Sequence, residues 1–434
     1  MMISSYYFLT SQDPAQRRQI RDSIVTHQSQ GGVKKAGRIV FHGQGDITPL
    51  AAILYGWKKE KQAPYKQLLA SFRHRGKDYP LIGINNRKVA VNFDFFEWER
   101  RLLHEEYKSF KRPLYTRLPF PYYRIPLPLR NMGLRALSSL GGGGKEKERL
   151  QKFPSFPTEP ALDQMRRTIW EAAATVVKIK LNKRPYHGGK RGCLLLTHDI
   201  ETSEGLRNVE HMRAIERSFD YPSSWSIISK RYTTNDTLLI SLIDEGCEII
   251  SHGYLHDGRI PYLRRGEILK RLEHLFIVKP WLKGKVNGYR SGQLVTSPRL
   301  FRCVAQRFKY DLSLPDTEKN GPYGTRGCCS IYPFYHGANI LEIPLTVPQD
   351  YFYLHIHRYT KERILNLWER KIDYIEKNNG VAVLLLHPDN YLSGNEEMLT
   401  IYRSLLHFIS SRDLWVTTPG ALTTYLQGIA DWPH

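Results

Sequence analysis

Between residues 193 and 418 short apolar runs return at regular intervals, and stretches of helical spacing fill the gaps. The runs are CLLLT (193–197), SSWSII (223–228), CEIIS (247–251), KVNGY (285–289), YDLSL (310–314), NILEIPL (339–345), VAVLLL (381–386) and LWVTT (414–418). NDTLLISLIDEG, RRGEILKRLEHLF, SPRLFRCVAQRF, TKERILNLWERKIDYIEKNNG and NEEMLTIYRSLLHFISSR lie between them. Strands that alternate with helices require crossover connections, and so a parallel sheet with helices on its outer face. Seven or eight repeats suit a closed or nearly closed (β/α) barrel better than a short open sheet.

In such a barrel, chemistry gathers where the strands end. CLLLT runs into His198, Asp199 and Glu201; CEIIS into His252 and His256; KVNGY into Arg290; VAVLLL into His387. The run at 310 carries Asp311 and Ser313. His252 and His256 are four apart, a spacing that puts two imidazoles on one side of a turn or short helix. Two nitrogen ligands need a further donor and an open position. Asp199 and Glu201, two apart, can divide the work of metal ligand and neighbouring base, or can simply cap the helix that follows. Arg290 can steady a carboxylate. His387 is either a core residue bonded to a backbone carbonyl or an acid that protonates a leaving group. His355 and His357, in YFYLHIHRY, read as structural.

The ordered set THDIE (197–201), SHGYLH (251–256), GYRSG (288–292), YDLSLPD (310–316) and LLLHPD (384–389) resembles the motifs of the polysaccharide deacetylase family, carbohydrate esterase family four. The resemblance covers about residues 190–425. It implies a distorted (β/α)7-8 barrel and a divalent metal, commonly zinc. It also implies removal of N-acetyl or O-acetyl groups from a carbohydrate, a metal-bound water attacking the acetyl carbonyl. On matching positions Glu201, His252 and His256 would hold the metal, Asp199 would be the base, Arg290 its support and His387 the acid. The sequence departs from the family at Ile200, where many members carry a second aspartate, and at His198, usually aromatic. Arg290 is followed by Ser-Gly-Gln, and the fourth motif lacks tryptophan. These departures leave two alternatives: a carbohydrate-binding barrel with altered catalysis, or a hydrolase of a non-sugar amide.

The first third differs in character. Residues 1–150 hold 27 Lys/Arg against 12 Asp/Glu, most of the net charge of +22. GRIVFHG and KVAVNFDFF read as strands and EWERRLLHEEYKSF as a helix, so residues 1–137 form a smaller basic α/β accessory region. KRPLYTRLPFPYYRIPLPLR (111–130) is Pro-rich and extended; it is expected to be a connecting arm, the alternative being a segment that wraps a neighbouring surface or contacts a ligand. The Gly-rich stretch 138–149 is the expected linker, and residues 150–434 the barrel. The basic excess favours an anionic glycan or envelope surface as a partner; nucleic acid is not expected. The five cysteines show no C-x-x-C spacing, no leader pattern opens the chain and no run is long enough to span a bilayer, so reduced thiols in the cytoplasm are the expectation.

Overall fold

The structure, a computed structural model, describes residues 9–10, 14–26, 35–42, 50–54, 65–107, 112–139, 153–183, 186–319, 325–337 and 340–429. The Gly-rich stretch, apart from its first two residues, lies outside the described residues.

The parallel strands are Gly192–Ile200 (β1), Ser224–Ile227 (β2), Glu248–Ser251 (β3), Gly288–Tyr289 (β4), Tyr310–Asp311 (β5), Ile340–Glu342 (β6), Val381–Leu386 (β7) and Leu414–Thr417 (β8). They pair in the order β6-β5-β4-β3-β2-β1-β7, with β8 beside the first half of β1 and β2 beside its second half. Past β6 the chain swings across to β7: the Val347 N–H donates to the Val383 carbonyl at 3.0 Å, and the Thr346 hydroxyl donates to the Val381 carbonyl at 2.7 Å. The curled sheet is thus a distorted (β/α) barrel whose last seam is closed by a few bonds. Every residue of β1 and β7 is buried, as expected when both faces of a parallel strand are covered. Helices such as Lys361–Lys377 and Glu396–Ser410 supply the outer cover. Strands β4 and β5 are only two residues long, shorter than their apolar runs suggest.

Register places the strand ends at one height. Leu386 pairs with His198, Ser226 with Asp199, Ile227 with Ser251, and Ser251 with Tyr289. Asp199, His252, Arg290 and His387 therefore leave the barrel within about two residues, or ~7 Å, of one level.

Before the barrel, six strands form a second sheet in the order Ile24–Thr26, Lys88–Val91, Lys77–Asn85, Gln67–His74, Lys35–Phe41, Leu50–Leu54. The helix expected over 97–110 runs instead from Phe95 to Leu103, started by the Asp94 side chain, which accepts the Glu97 N–H. Helix Ala161–Val176 packs on this sheet, and its buried Arg166 reaches both Glu99 before the linker and Ser330 in the barrel. Arg326 grips Glu105 through two bonds of 3.0 and 2.9 Å. All five cysteines are buried free thiols, and among the described residues no helix is long and apolar enough to cross a membrane.

One buried carboxyl yields a stability prediction. Glu318 accepts the Tyr353 hydroxyl at 3.1 Å, and burial pushes its carboxyl up to about 8 despite Tyr353 and Arg326. The folded state holds the proton that the unfolded chain releases near its ordinary value, so this stabilisation is lost as pH rises toward and through 8. Glu318→Gln removes that loss. Between pH 6 and pH 9 its stability is expected to improve relative to the parent by about 3 kcal/mol, read from urea unfolding. Parallel pH curves for the two proteins would rule out the protonated Glu318.

Candidate metal centre

Strand β1 ends at Ile200, and Thr202 starts the next helix by accepting the Gly205 N–H. Ile200 packs into the core, while Asp199 on its one side and Glu201 on the other reach His252 and His256. Ile200, where the related pattern carries an acid, faces away from the site for this reason.

Of the turn or short helix that their spacing allows, the two histidines use a turn. His252 through Gly258 is a loop, with left-handed backbone at Gly253 (φ 77°), His256 (φ 53°) and Gly258 (φ 66°). The bend brings the two rings to 4.9 Å between centroids. A non-glycine residue in this conformation costs about 1 kcal/mol or more, and such strain concentrates at functional sites.

Glu201, His252 and His256 bring their ligand atoms within 4.8 Å of one another. His256 Nε2 lies 3.0 Å from a Glu201 oxygen, and His252 Nε2 lies 3.5 Å from an Asp199 oxygen. His252 Nδ1 stands 3.1 Å from the Arg290 carbonyl, which assigns the proton to Nδ1 and leaves Nε2 a lone pair. That Nε2 is buried without a hydrogen-bond partner. Burial also holds the His252 ring near 4, against the pull of Asp199, so it is neutral at neutral pH. His256 Nε2 stands within hydrogen-bond distance of the Gln293 N–H, at 3.2 Å, as well as of the Glu201 carboxylate. One buried, unpartnered imidazole nitrogen with a second imidazole and a carboxylate in reach of the same point fits a divalent cation.

The neighbouring groups are equally constrained. Asp199 accepts from Arg290 Nη1 at 2.9 Å, while Arg290 Nη2 donates to the Thr197 hydroxyl at 2.9 Å and Nε to the Leu312 carbonyl at 3.3 Å. Burial alone would raise the Asp199 carboxyl, but Arg290, His252 and His387 outweigh it and hold the group well below the usual range. Glu201 behaves alike: burial is overcome by His256, His387 and Arg231. His387 Nδ1 lies 2.6 Å from an Asp350 oxygen, and its Nε2 lies 3.7 Å from Glu201. Burial lowers the His387 ring, yet the Asp350 carboxylate more than compensates and lifts it to about 10. Its Nε2 is therefore a protonated donor aimed at the site.

The structure thus brings together Asp199, Glu201, His252, His256, Arg290 and His387. His198 turns the other way: its Nε2 lies 2.6 Å from the buried Glu216, and its ring stacks on Trp225. Asp311 accepts the Ser313 N–H at 2.8 Å inside the barrel. His355 faces the Tyr391 carbonyl and His357 packs beside Tyr353.

Two participants were not legible beforehand. Asp350 lies 37 residues before its partner His387, and takes the backbone N–H of His387 and the Ser393 hydroxyl as well. Tyr122, in the Pro-rich arm, places its hydroxyl 3.3 Å from His256 Nδ1. Neither Asp350, in PQD, nor Tyr122, in PYYR, stands out in sequence.

A close approach at Gly292 gives a second prediction. A Cβ there would fall 2.6 Å from His256 Cδ2. The ring is held between Tyr122, Gln293 and Glu201 and cannot swing freely. Gly292→Ala is expected to weaken zinc binding by about 10–100-fold with the circular dichroism unchanged. Calorimetric titration of zinc into metal-free protein checks it; unaltered affinity would mean that His256 does not bind there.

No family model matches this chain, and neither does any curated protein. Solved structures do. A putative polysaccharide deacetylase from Mycobacterium smegmatis is 17% identical over 56% of this chain and 93% of its own, with a TM-score of 0.47. A probable polysaccharide deacetylase from Pseudomonas aeruginosa PAO1 is 16% identical over 57% and 95%, TM-score 0.48. Puue allantoinase is 16% identical over 56% and 94%, TM-score 0.47. At these identities and scores the likenesses decide nothing about chemistry; the strand order and the side chains carry that.

Proposed function

We propose that this chain is a metal-dependent hydrolase that removes N-acetyl or O-acetyl groups from a carbohydrate. The observation that carries the reading is the cluster of Glu201, His252 and His256, with His252 Nε2 buried and unpartnered and His256 Nε2 3.0 Å from the Glu201 carboxylate. A divalent ion bound there, zinc by the chemistry of the donor set, would act as a Lewis acid and make water acidic enough to lose a proton near neutral pH.

The residues divide the remaining work. Asp199, kept ionised by Arg290, takes the proton of the attacking water. Arg290 is occupied on every side and so keeps that carboxylate in one orientation. His387 Nε2 gives its proton to the departing nitrogen or oxygen as the acyl bond breaks. Asp350 holds the ring from behind and stabilises its charged form. The acyl carbon gains the water oxygen, and the sugar leaves as an amine or alcohol.

Acetate released in equal amount with free amine from an acetylated glucosamine oligomer, and suppressed by a chelator, is the expected result. Fully zinc-loaded protein that releases no acetate from N- or O-acetylated sugars would refute it. A second reading, hydrolysis of a non-sugar amide by the same groups, is favoured by the cover that the arm lays over the site. The basic first third fits docking on an anionic glycan, an attraction that weakens with salt.

A further inference from the structure

The Pro-rich arm does more than connect. Arg259, three residues past His256, donates to the Leu118 and Phe120 carbonyls and pins the arm to the barrel's rim. Tyr115 donates to the Gln293 side chain, the residue whose backbone N–H meets His256. Tyr115 and Tyr122 pack at 5.3 Å between ring centroids, and Tyr122 reaches His256. Tyr123 lies under the Arg231 guanidinium at 4.5 Å, and Arg231 stands 3.7 Å from Glu201. On the far side of the arm, Arg130 covers the Tyr122 ring at 5.5 Å. Beneath this cover His252 is 1% exposed and His256 6%.

Barrel loops alone leave a mouth open to solvent, and an extended polymer can lie across an open mouth. Here a segment from outside the barrel crosses it. Tyr122 stands against His256, Tyr115 against Gln293 and Tyr123 against Arg231, and the arm's backbone is fastened at both Leu118 and Phe120.

We propose that residues 115–123 form a fixed wall that turns the site into a blind pocket, so that it accepts a small acylated molecule or the last residue of a chain and excludes the interior of a polymer. This rests on the hydrolase reading above and narrows its substrate. Tyr122 and Tyr123 are the specificity-determining residues, and Arg259 holds them in place.

The test uses full-length, zinc-loaded protein, the parent and Arg259→Ala, which releases the arm without touching a metal ligand. Tyr123→Gly, which shortens the wall, is the second variant. Hydrogen exchange across 115–123 is read first, because it needs no turnover. Protection in the parent that is lost in Arg259→Ala is expected, and free-chain exchange in the parent overturns the wall. Binding of N-acetylglucosamine and of its linear hexamer is then compared by calorimetry, with products mapped where turnover occurs. At least a tenfold preference for the monomer, or product acetyl loss confined to the terminal residue, supports the pocket, as does a narrowed preference in either variant. Equal binding of the hexamer, acetyl loss from its interior residues, or no binding of either probe overturns it. A protected arm in a protein without turnover would sink the hydrolase reading and leave the wall standing.

Discussion

Asp199→Asn is expected to lower kcat/KM for acetate release by about 10²–10⁴-fold, because the amide cannot take a proton from water. The zinc content should stay near that of the parent, since the ligand atoms that converge belong to Glu201, His252 and His256. The fold will feel the change. Arg290 is wholly buried, and its Nη1 loses a charged partner 2.9 Å away. Breaking a buried pair by removing one charge costs about 3–5 kcal/mol; asparagine retains one acceptor, which favours the low end. Unfolding must therefore be measured beside turnover. The pH dependence has a defined sign. A carboxyl held below its ordinary value stabilises the fold above about pH 4 and loses that stabilisation as pH falls toward the folded value. The variant should therefore lose less stability than the parent between pH 5 and pH 2. A folded, zinc-loaded Asp199→Asn protein with parental turnover would remove Asp199 from the mechanism.

His252→Ala is expected to weaken zinc binding by at least ~100-fold, more than the usual effect of changing a residue behind a ligand. The buried Nε2 has no protein partner to lose, so the metal-free protein gives up one hydrogen bond, from Nδ1 to the Arg290 carbonyl. The signature is a change in linkage. Zinc at a hundred times its dissociation constant raises the parent's stability by about 2.7 kcal/mol, and the variant should show almost none of that rise at the same concentration. Thermal unfolding with and without zinc reads it directly. An undiminished zinc-dependent rise in the variant would show that the ion binds elsewhere.

The fold was open to reading because its cause is local and repeated. Runs such as VAVLLL and CLLLT can be buried on both faces only in a parallel sheet, and the helical stretches between them leave a barrel as the economical arrangement. The residues at strand ends were visible for the same reason. A polar group directly after a buried run has nowhere to go but the barrel's rim. The spacing from His252 to His256 allowed a turn or a short helix, and Gly253, Gly258 and the left-handed His256 make it a loop. The i, i+4 spacing could not distinguish the two.

By itself the sequence determined which side chains leave the barrel at one end: Asp199 and Glu201, His252 and His256, Arg290, His387. Periodicity along each strand and the parallel register are enough for that. Tertiary structure alone decided which of those groups touch. It set Arg290 on Asp199, and turned His198 away to Glu216 although it stands next to Asp199 in the chain. It also recruited Asp350 behind His387 and laid Tyr122 against His256. These partners lie from 18 to 134 positions apart. No local pattern carries that information, because a hydrogen bond between distant residues depends on where the intervening chain packs and not on the residues that flank either end.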